Sequence, residues 1–337
     1  MILSNFGLLC IRFIQSSSLV QMFSRRLLRI KVLQTLYSYH KIDGKTYSAT
    51  EKDLLHSIQK SYTLYHLLLL LIIDVVDYAE SNLEQARQKR IPTYEDLNPN
   101  TRFIDNALVK QLRNNEGFNK YLIKHPMNWA GYPEIVKNLH RMIMDAEYFK
   151  AYMSDSEHSY NSDKRLIEWI FLDVFMNYED LYLNLEEQSI YWIDDVDFVI
   201  KMIVKTFKKF KADDSRGAPL LPMFKDEEDL AYCKKLLRTA VKNEEVYLEL
   251  IRSSANNWDL ERIAFIDSLI LQLAICEAIE FKSIPTKVTI NEFIEIAKSY
   301  STQKSSQFIN GMLDNIFSGL KARGEIVKTG RGLIGEM

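Results

Sequence analysis

Apolar residues recur at three- and four-residue steps along most of this chain, the spacing of amphipathic helices. The clearest runs lie near the C-terminus. Leu260, Ile263, Ile266, Leu269 or Ile270, and Leu273 form one stripe; Ile290, Phe293, Ile294 and Ala297 form a second; Phe308, Met312, Leu313, Ile316 and Leu320 form a third. The connections are short and the first contains Pro285. Closely spaced amphipathic helices with brief turns bury their stripes by packing antiparallel on one another.

The same period runs through the rest of the chain. Leu27, Ile30, Leu33 and Tyr37 mark a helix that Ser24 is placed to cap. Thr50 and Asp53 have the spacing of a capping box, and a helix over 51–89 follows, uninterrupted by Gly or Pro. The spacing predicts further helices over 101–123, 133–152, 163–185 and 189–210, with Pro133 suited to a first helical turn. A helix opened by Asp226, Glu227, Glu228 and Asp229 extends to about 253. The expectation is an all-α chain: two antiparallel helical bundles with extra inserted helices. Its divisions are a poorly ordered extension over 1–21, an N-terminal bundle over 22–185 with an inserted block at about 90–190, a C-terminal bundle over 189–324, and a tail over 325–337.

Composition narrows the functional classes. At 337 residues the chain exceeds one typical domain, and 47% apolar with 26% charged residues supplies a large core. The net charge of −2 gives no overall attraction to nucleic acid, so an RNA site has to be a local basic patch. Cys10, Cys233 and Cys276 are few and scattered, and the six histidines form no close pair; neither a disulfide framework nor a metal site is expected, and a reducing cytoplasm fits. The apolar run 67–73 is far shorter than the roughly 20 residues that cross a bilayer, so no membrane span is expected. The opening segment places Arg12 inside its apolar run, unlike a secretory signal, and Met22 is the expected functional start. There is no Gly-rich phosphate loop, no H-E-x-x-H and no G-x-S-x-G, so no enzyme and no cofactor are expected.

Two basic elements stand out. Arg25, Arg26, Arg29 and Lys31 crowd the start of the first helix, and no acid occurs before Asp43. Cations there oppose the helix dipole, whereas an external anion would be welcome. The residues alone allow either an ordinary solvated turn or an anion site. The second element is the turn K-S-Y-S-T-Q-K-S-S-Q-F, with Lys298, Tyr300, Lys304, Ser305 and Phe308. Single-stranded RNA is held by such a mixture of cations, rings and small polar groups. The alternative is that Tyr300 and Phe308 are core residues at the ends of two helices. Asn310-Gly311, inside a helix, points to a close helix–helix approach.

W-D-L-x-R, I-L-Q-L-A-I-C-E, I-P-x-K-V-x-I-N-E-x-x-E-x-A-K and F-I-N-G-M-L-D resemble, in order, the C-terminal half of the NusB family, and R-R-L-L-R-I-K-V-L-Q-T-L-Y-S-Y resembles its arginine-rich first helix. Glu277, Asn291, Glu292 and Asn310 are polar positions in this match that packing alone does not require. The resemblance implies a NusB-like fold and a transcription antitermination factor. Its implied partners are single-stranded boxA-like RNA, the ribosomal protein NusE and the RNA polymerase antitermination complex. It implies RNA-binding roles for Arg25, Arg26, Arg29, Lys31, Tyr37, Lys298, Tyr300, Lys304, Ser305 and Phe308, with a lysine at 304 where the family often has an acid. The chain is more than twice the usual family length, and the excess falls at 90–190, as in long forms from Bacteroidetes. A non-catalytic interaction module, with partners on the inserted helices and vestigial RNA binding, is the competing expectation.

Overall fold

A computed structural model describes residues 22–214, 218–254 and 263–334 of the chain. Among these residues the backbone forms fifteen α-helices and no strand. The first two are α1 (Arg25–Lys41) and the 41-residue α2 (Tyr47–Arg87). A block of short helices follows: α3 (Tyr94–Leu97), α4 (Ala107–Arg113), α5 (Glu116–Lys124), α6 (Pro133–Asp145), α7 (Glu147–Ser154), α8 (Tyr160–Trp169) and α9 (Glu179–Gln188). The C-terminal series is α10 (Val196–Lys209), α11 (Glu227–Lys242), α12 (Glu244–Ser254), α13 (Phe265–Glu280), α14 (Thr286–Tyr300) and α15 (Gln303–Ala322).

Local chemistry explains most boundaries. The Ser24 side chain accepts from the Leu27 N–H at 3.3 Å and starts α1. Thr46, not Thr50, caps α2: its hydroxyl accepts from the Ala49 N–H, while Thr50 is buried and donates back to the Thr46 carbonyl at 2.9 Å. The spacing could not separate two threonines four residues apart on one helix face. Asp226 caps α11 with three acids in the first turn. The helices expected over 101–123, 133–152 and 226–253 are each broken in two. Asn115 supplies one break by capping α5 from inside the expected run. The expected 163–185 helix becomes α8, a π-helical turn over Ile170–Val174, a short 3₁₀ turn and α9. The segment W-D-L-E-R and Leu260 lie outside the described residues, as do residues 1–21 with Cys10.

Two helices organise the packing. α2, about 60 Å long at about 1.5 Å per residue, packs against α1, α6, α10 and α11 and supports α3, α4 and α5. By length and composition alone α2 could cross a membrane, but 67% of its most apolar window is buried inside the protein. Trp129 donates its indole N–H to the Leu67 carbonyl at 3.0 Å, which fastens the inserted block to the middle of α2. α13 is the second centre. Residues 269–278 are all buried, enclosed by α1, α11, α12, α14 and α15, as expected of a helix apolar on every side. α10 lies against α2 and α8, although its position in sequence groups it with the C-terminal helices. One continuous apolar core joins these elements except α3, which buries no residue.

His66 is 1% exposed on α2, with Nδ1 2.9 Å from the Tyr62 carbonyl and its ring stacked on Tyr121 at 3.5 Å. Burial, reinforced by nearby His125, lowers its pKa to about 4. The unfolded chain therefore binds the extra proton between pH 6.5 and 4. Stability from this group is complete above about pH 6.5 and is lost as pH falls towards 4. The loss between pH 7 and pH 5 is on the order of 2 kcal/mol. Urea unfolding at both pH values should show a smaller difference in His66→Phe than in the parent; an equal difference would refute the assignment.

Asn310 and Gly311 overturn the expected close helix approach. Both are exposed, and a Cβ at Gly311 would meet no heavy atom within 4 Å. Gly311→Ala should therefore raise stability by about 0.5–1 kcal/mol through helix propensity. A lowered thermal midpoint would contradict this.

Candidate nucleic-acid interface

The four cations at the start of α1 have four different fates. Arg29 is 2% exposed and donates to Glu277 on α13 through Nε at 2.7 Å and Nη2 at 2.9 Å. Glu277 is fully buried and also accepts from Tyr232 on α11 and from Thr289 Oγ1 on α14 at 2.7 Å. Burial opposes the Arg29 charge, but Tyr232 and Glu277 more than offset it and hold the guanidinium protonated. Lys31, 1% exposed, donates to Asp195 at 2.7 Å, and Ser61 on α2 binds the same carboxylate. Burial raises the Asp195 pKa, with Lys31 and Ser61 pulling the other way.

Arg29 and Lys31 are thus corrections to the expected phosphate ligands. Residues two apart on a helix point to opposite sides, and both sides of α1 are covered here. Arg25 is half-exposed, pairs with Asp229 at 3.0 Å and lies over the Tyr232 ring at 4.6 Å. Arg26 is the accessible member: its side chain is 47% exposed and forms a two-point pair with Glu292 on α14, both contacts at 2.8 Å. The hydrogen bond from Arg26 holds the Glu292 carboxyl below its usual range.

The outer stripe of α1 continues from Arg26 through Ile30, Gln34 and Tyr37 to Lys41, in steps of three and four. Gln34 Nε2 donates to Asp194 at 2.7 Å and to the Tyr300 hydroxyl at 3.2 Å, so the end of α14 and the segment before α10 meet on this stripe. Burial first, and then the negative charges of Asp194 and Asp195, raise the Tyr300 pKa. Tyr37, 41% exposed, packs on Phe265, 39% exposed, with ring centroids 5.6 Å apart. The Lys41 ammonium lies 4.5 Å from the Phe265 centroid and 5.6 Å from that of Tyr37. A groove of about 1470 Å³ runs between the start of α1 and α14, with Arg25, Arg26, Ile30, Glu292 and Tyr300 in its walls.

The α14–α15 turn divides similarly. Lys298 is exposed and pairs with Glu295 at 2.6 Å. Lys304 is exposed in the first turn of α15. Ser305 is 7% exposed and engaged with Ser301 and with Thr302, the α15 cap. It completes the cap and is not presented to a base, a further correction. Phe308 is half-buried against the core.

The structure therefore gathers Arg26, Tyr37 and Tyr300 on one face with Lys298 nearby, and withdraws Arg29, Lys31 and Ser305. Sequence reasoning missed Gln34, Lys41, Phe265 and Asp194. Gln34 and Lys41 follow the period of α1 and were detectable. Asp194 was not, because its partners lie 106 and 160 positions away. Among the described residues no group of three or more acids, histidines or cysteines is placed to hold a metal.

Comparison with known proteins converges on one family. The NusB family model matches residues 197–318, from α10 into α15. The transcription antitermination protein NusB of Salinibacter ruber is 42% identical over 115 residues, 34% of this chain and 72% of its own length. The NusB protein of Chloroherpeton thalassium is 43% identical over 100 residues, 30% of this chain and 47% of its own. That of Methylacidiphilum infernorum is 42% identical over 99 residues, 29% and 69% of the two chains. No solved structure matches.

The two arginine pairs should differ sharply in energy. Removing one partner of a buried pair costs about 3–5 kcal/mol, whereas an exposed pair contributes less than about 1 kcal/mol. Arg29→Ala should lower the urea midpoint severely, or prevent folding, and Arg26→Ala should barely move it. Similar midpoints for the two variants would refute this division.

Proposed function

The chain belongs to the NusB family, and on that premise we propose that it is a non-catalytic antitermination factor that binds single-stranded boxA-type RNA together with NusE. What carries the reading is one face that combines an exchangeable cation with exposed rings. Arg26 can trade the Glu292 carboxylate for a phosphate at little cost, because an exposed pair is weak. A two-point guanidinium fork matches phosphate as well as it matches carboxylate. Tyr37 and Phe265 offer a ring pair on which an unstacked base can lie, with Lys41 beside it. Lys298 and Lys304 extend the positive charge around the end of α14. Phe308 is half-buried against the core. A site on a cytoplasmic transcription complex fits this assembly role.

Asp194 and Glu292 place negative charge within the same face, so the patch is moderated and not uniformly basic. Glu292→Gln should therefore tighten RNA binding, while leaving the fold intact through Glu277.

The decisive experiment is a salt titration of labelled boxA-like RNA, with and without NusE. Arg25, Arg26, Lys298 and Lys304 neutralising about four phosphates would give log K against log salt a slope near −3. The triple variant Arg26→Ala/Lys298→Ala/Lys304→Ala should flatten that slope to about −1. Binding that does not occur even with NusE, or is unchanged in the triple variant, would overturn the proposal.

A further inference from the structure

The end of the inserted block carries an apolar face that none of the described residues covers. Leu183 on α9 is 52% exposed, Ile190 is 75% exposed and Ile193 is 47% exposed. These are not the side chains of a loose loop. The segment joining α9 to α10 is pinned at three points: the Trp192 indole donates to the Lys60 carbonyl at 2.8 Å, Asp195 is held by Lys31 and Ser61, and Asp194 accepts from Gln34. Successive turns, Trp192 N–H to the Ser189 carbonyl and Asp195 N–H to the Trp192 carbonyl, bury Trp192 and leave Ile190 and Ile193 outside. On α9 the inward residues are Leu181 and Leu185, while Glu179, Leu183, Glu186, Glu187 and then Ile190 fall on the outer stripe. Tyr182 donates to Asp197 at 2.6 Å and fixes α9 against the start of α10.

Along its own stretch of chain the charge of this face has one sign, and the neighbouring cation is Lys60 on α2, whose ammonium lies 5.9 Å from the Trp192 ring. Residues 166–200 contain nine acids and no lysine, arginine or histidine. Asp195 is neutralised internally by Lys31, but Glu179, Glu186, Glu187 and Asp194 are exposed and have no ion pair among the described residues. Aliphatic side chains on a pinned backbone, beside these four exposed acids and the Lys60 cation, suit a partner with apolar and basic side chains.

We propose that the α9 stripe and the segment 189–194 form a docking surface for a basic amphipathic protein segment, its aliphatic side chains seated on Leu183, Ile190 and Ile193 and its lysines or arginines against the surrounding acids. A nucleic acid would meet repulsion here. The surface is separate from the proposed RNA contacts and touches them only at Asp194.

The test uses the full chain and a labelled synthetic helical peptide with leucines on one 3.6-residue stripe and lysines on the other face. Its control is a peptide of the same composition with the stripe scrambled. Binding read by fluorescence anisotropy should be at least tenfold tighter for the striped peptide. It should weaken at least tenfold in Ile190→Ser/Ile193→Ser and, separately, in Glu179→Gln/Glu186→Gln/Glu187→Gln, with circular dichroism unchanged. Equal affinity for the two peptides, or no loss in either variant, overturns the proposal. A parent dimer that becomes monomeric in Ile190→Ser/Ile193→Ser would overturn it in favour of self-association. Loss of boxA-like RNA binding in that variant, without NusE, would overturn it in favour of an RNA surface.

Discussion

The Glu277 carboxylate is the constraint on which the C-terminal half of this protein depends. It sits in the last turn of α13 with no exposure to solvent, and an unpaired charge there would cost several kcal/mol. Its hydrogen bonds come from Arg29, Tyr232 and Thr289, on α1, α11 and α14. Four helices must therefore meet at one point in one register for the charge to be tolerated. Apolar packing alone would accept small slides and rotations of these helices; a fully satisfied polar cluster does not.

α1 connects that cluster to the rest of the molecule. Its two buried cations leave opposite sides of the helix, Arg29 towards α13 and Lys31 towards α2 and Asp195. The second pair locks the exit of the inserted block onto α1, beside Gln34 and Tyr300. The candidate interface is consequently composed of three parts of the chain far apart in sequence. The cations needed to hold α1 in place are unavailable to a ligand, and the exposed Arg26 is left for that role. Structural and recognition charges share one helix and are separated by the direction in which each side chain points.

The insertion is accommodated because α2 is long. Its middle receives Trp129, its flank receives α6, and the block closes on itself through Arg102, whose guanidinium donates to the Tyr152, Asp155 and Glu157 carbonyls. An arginine used in this way satisfies several chain ends with one buried side chain. The block thus leaves the α1–α14 face uncovered, while its final helix and the following segment bring their own exposed surface to the edge of that face.

The chain by itself determined the helical class, the cap at Ser24 and the acidic helix start at 226–229, because these rest on periodicity and on contacts within a few residues. It also carried the family resemblance, and it marked Glu277 and Glu292 as polar positions needing a reason. Only tertiary structure decided which basic residues of α1 are surface. Arg26 and Arg29 lie three apart in one basic cluster, yet one reaches Glu292 at the rim and the other Glu277 in the core. Those partners lie 266 and 248 positions away, and no local pattern encodes which of two cations will find the buried acid. The open surroundings of Gly311 were likewise a matter of tertiary packing, whereas Ser305 is absorbed locally, by a helix cap three and four residues away. Secondary structure is written in spacing, but burial of a charge is settled by what arrives from elsewhere in the chain.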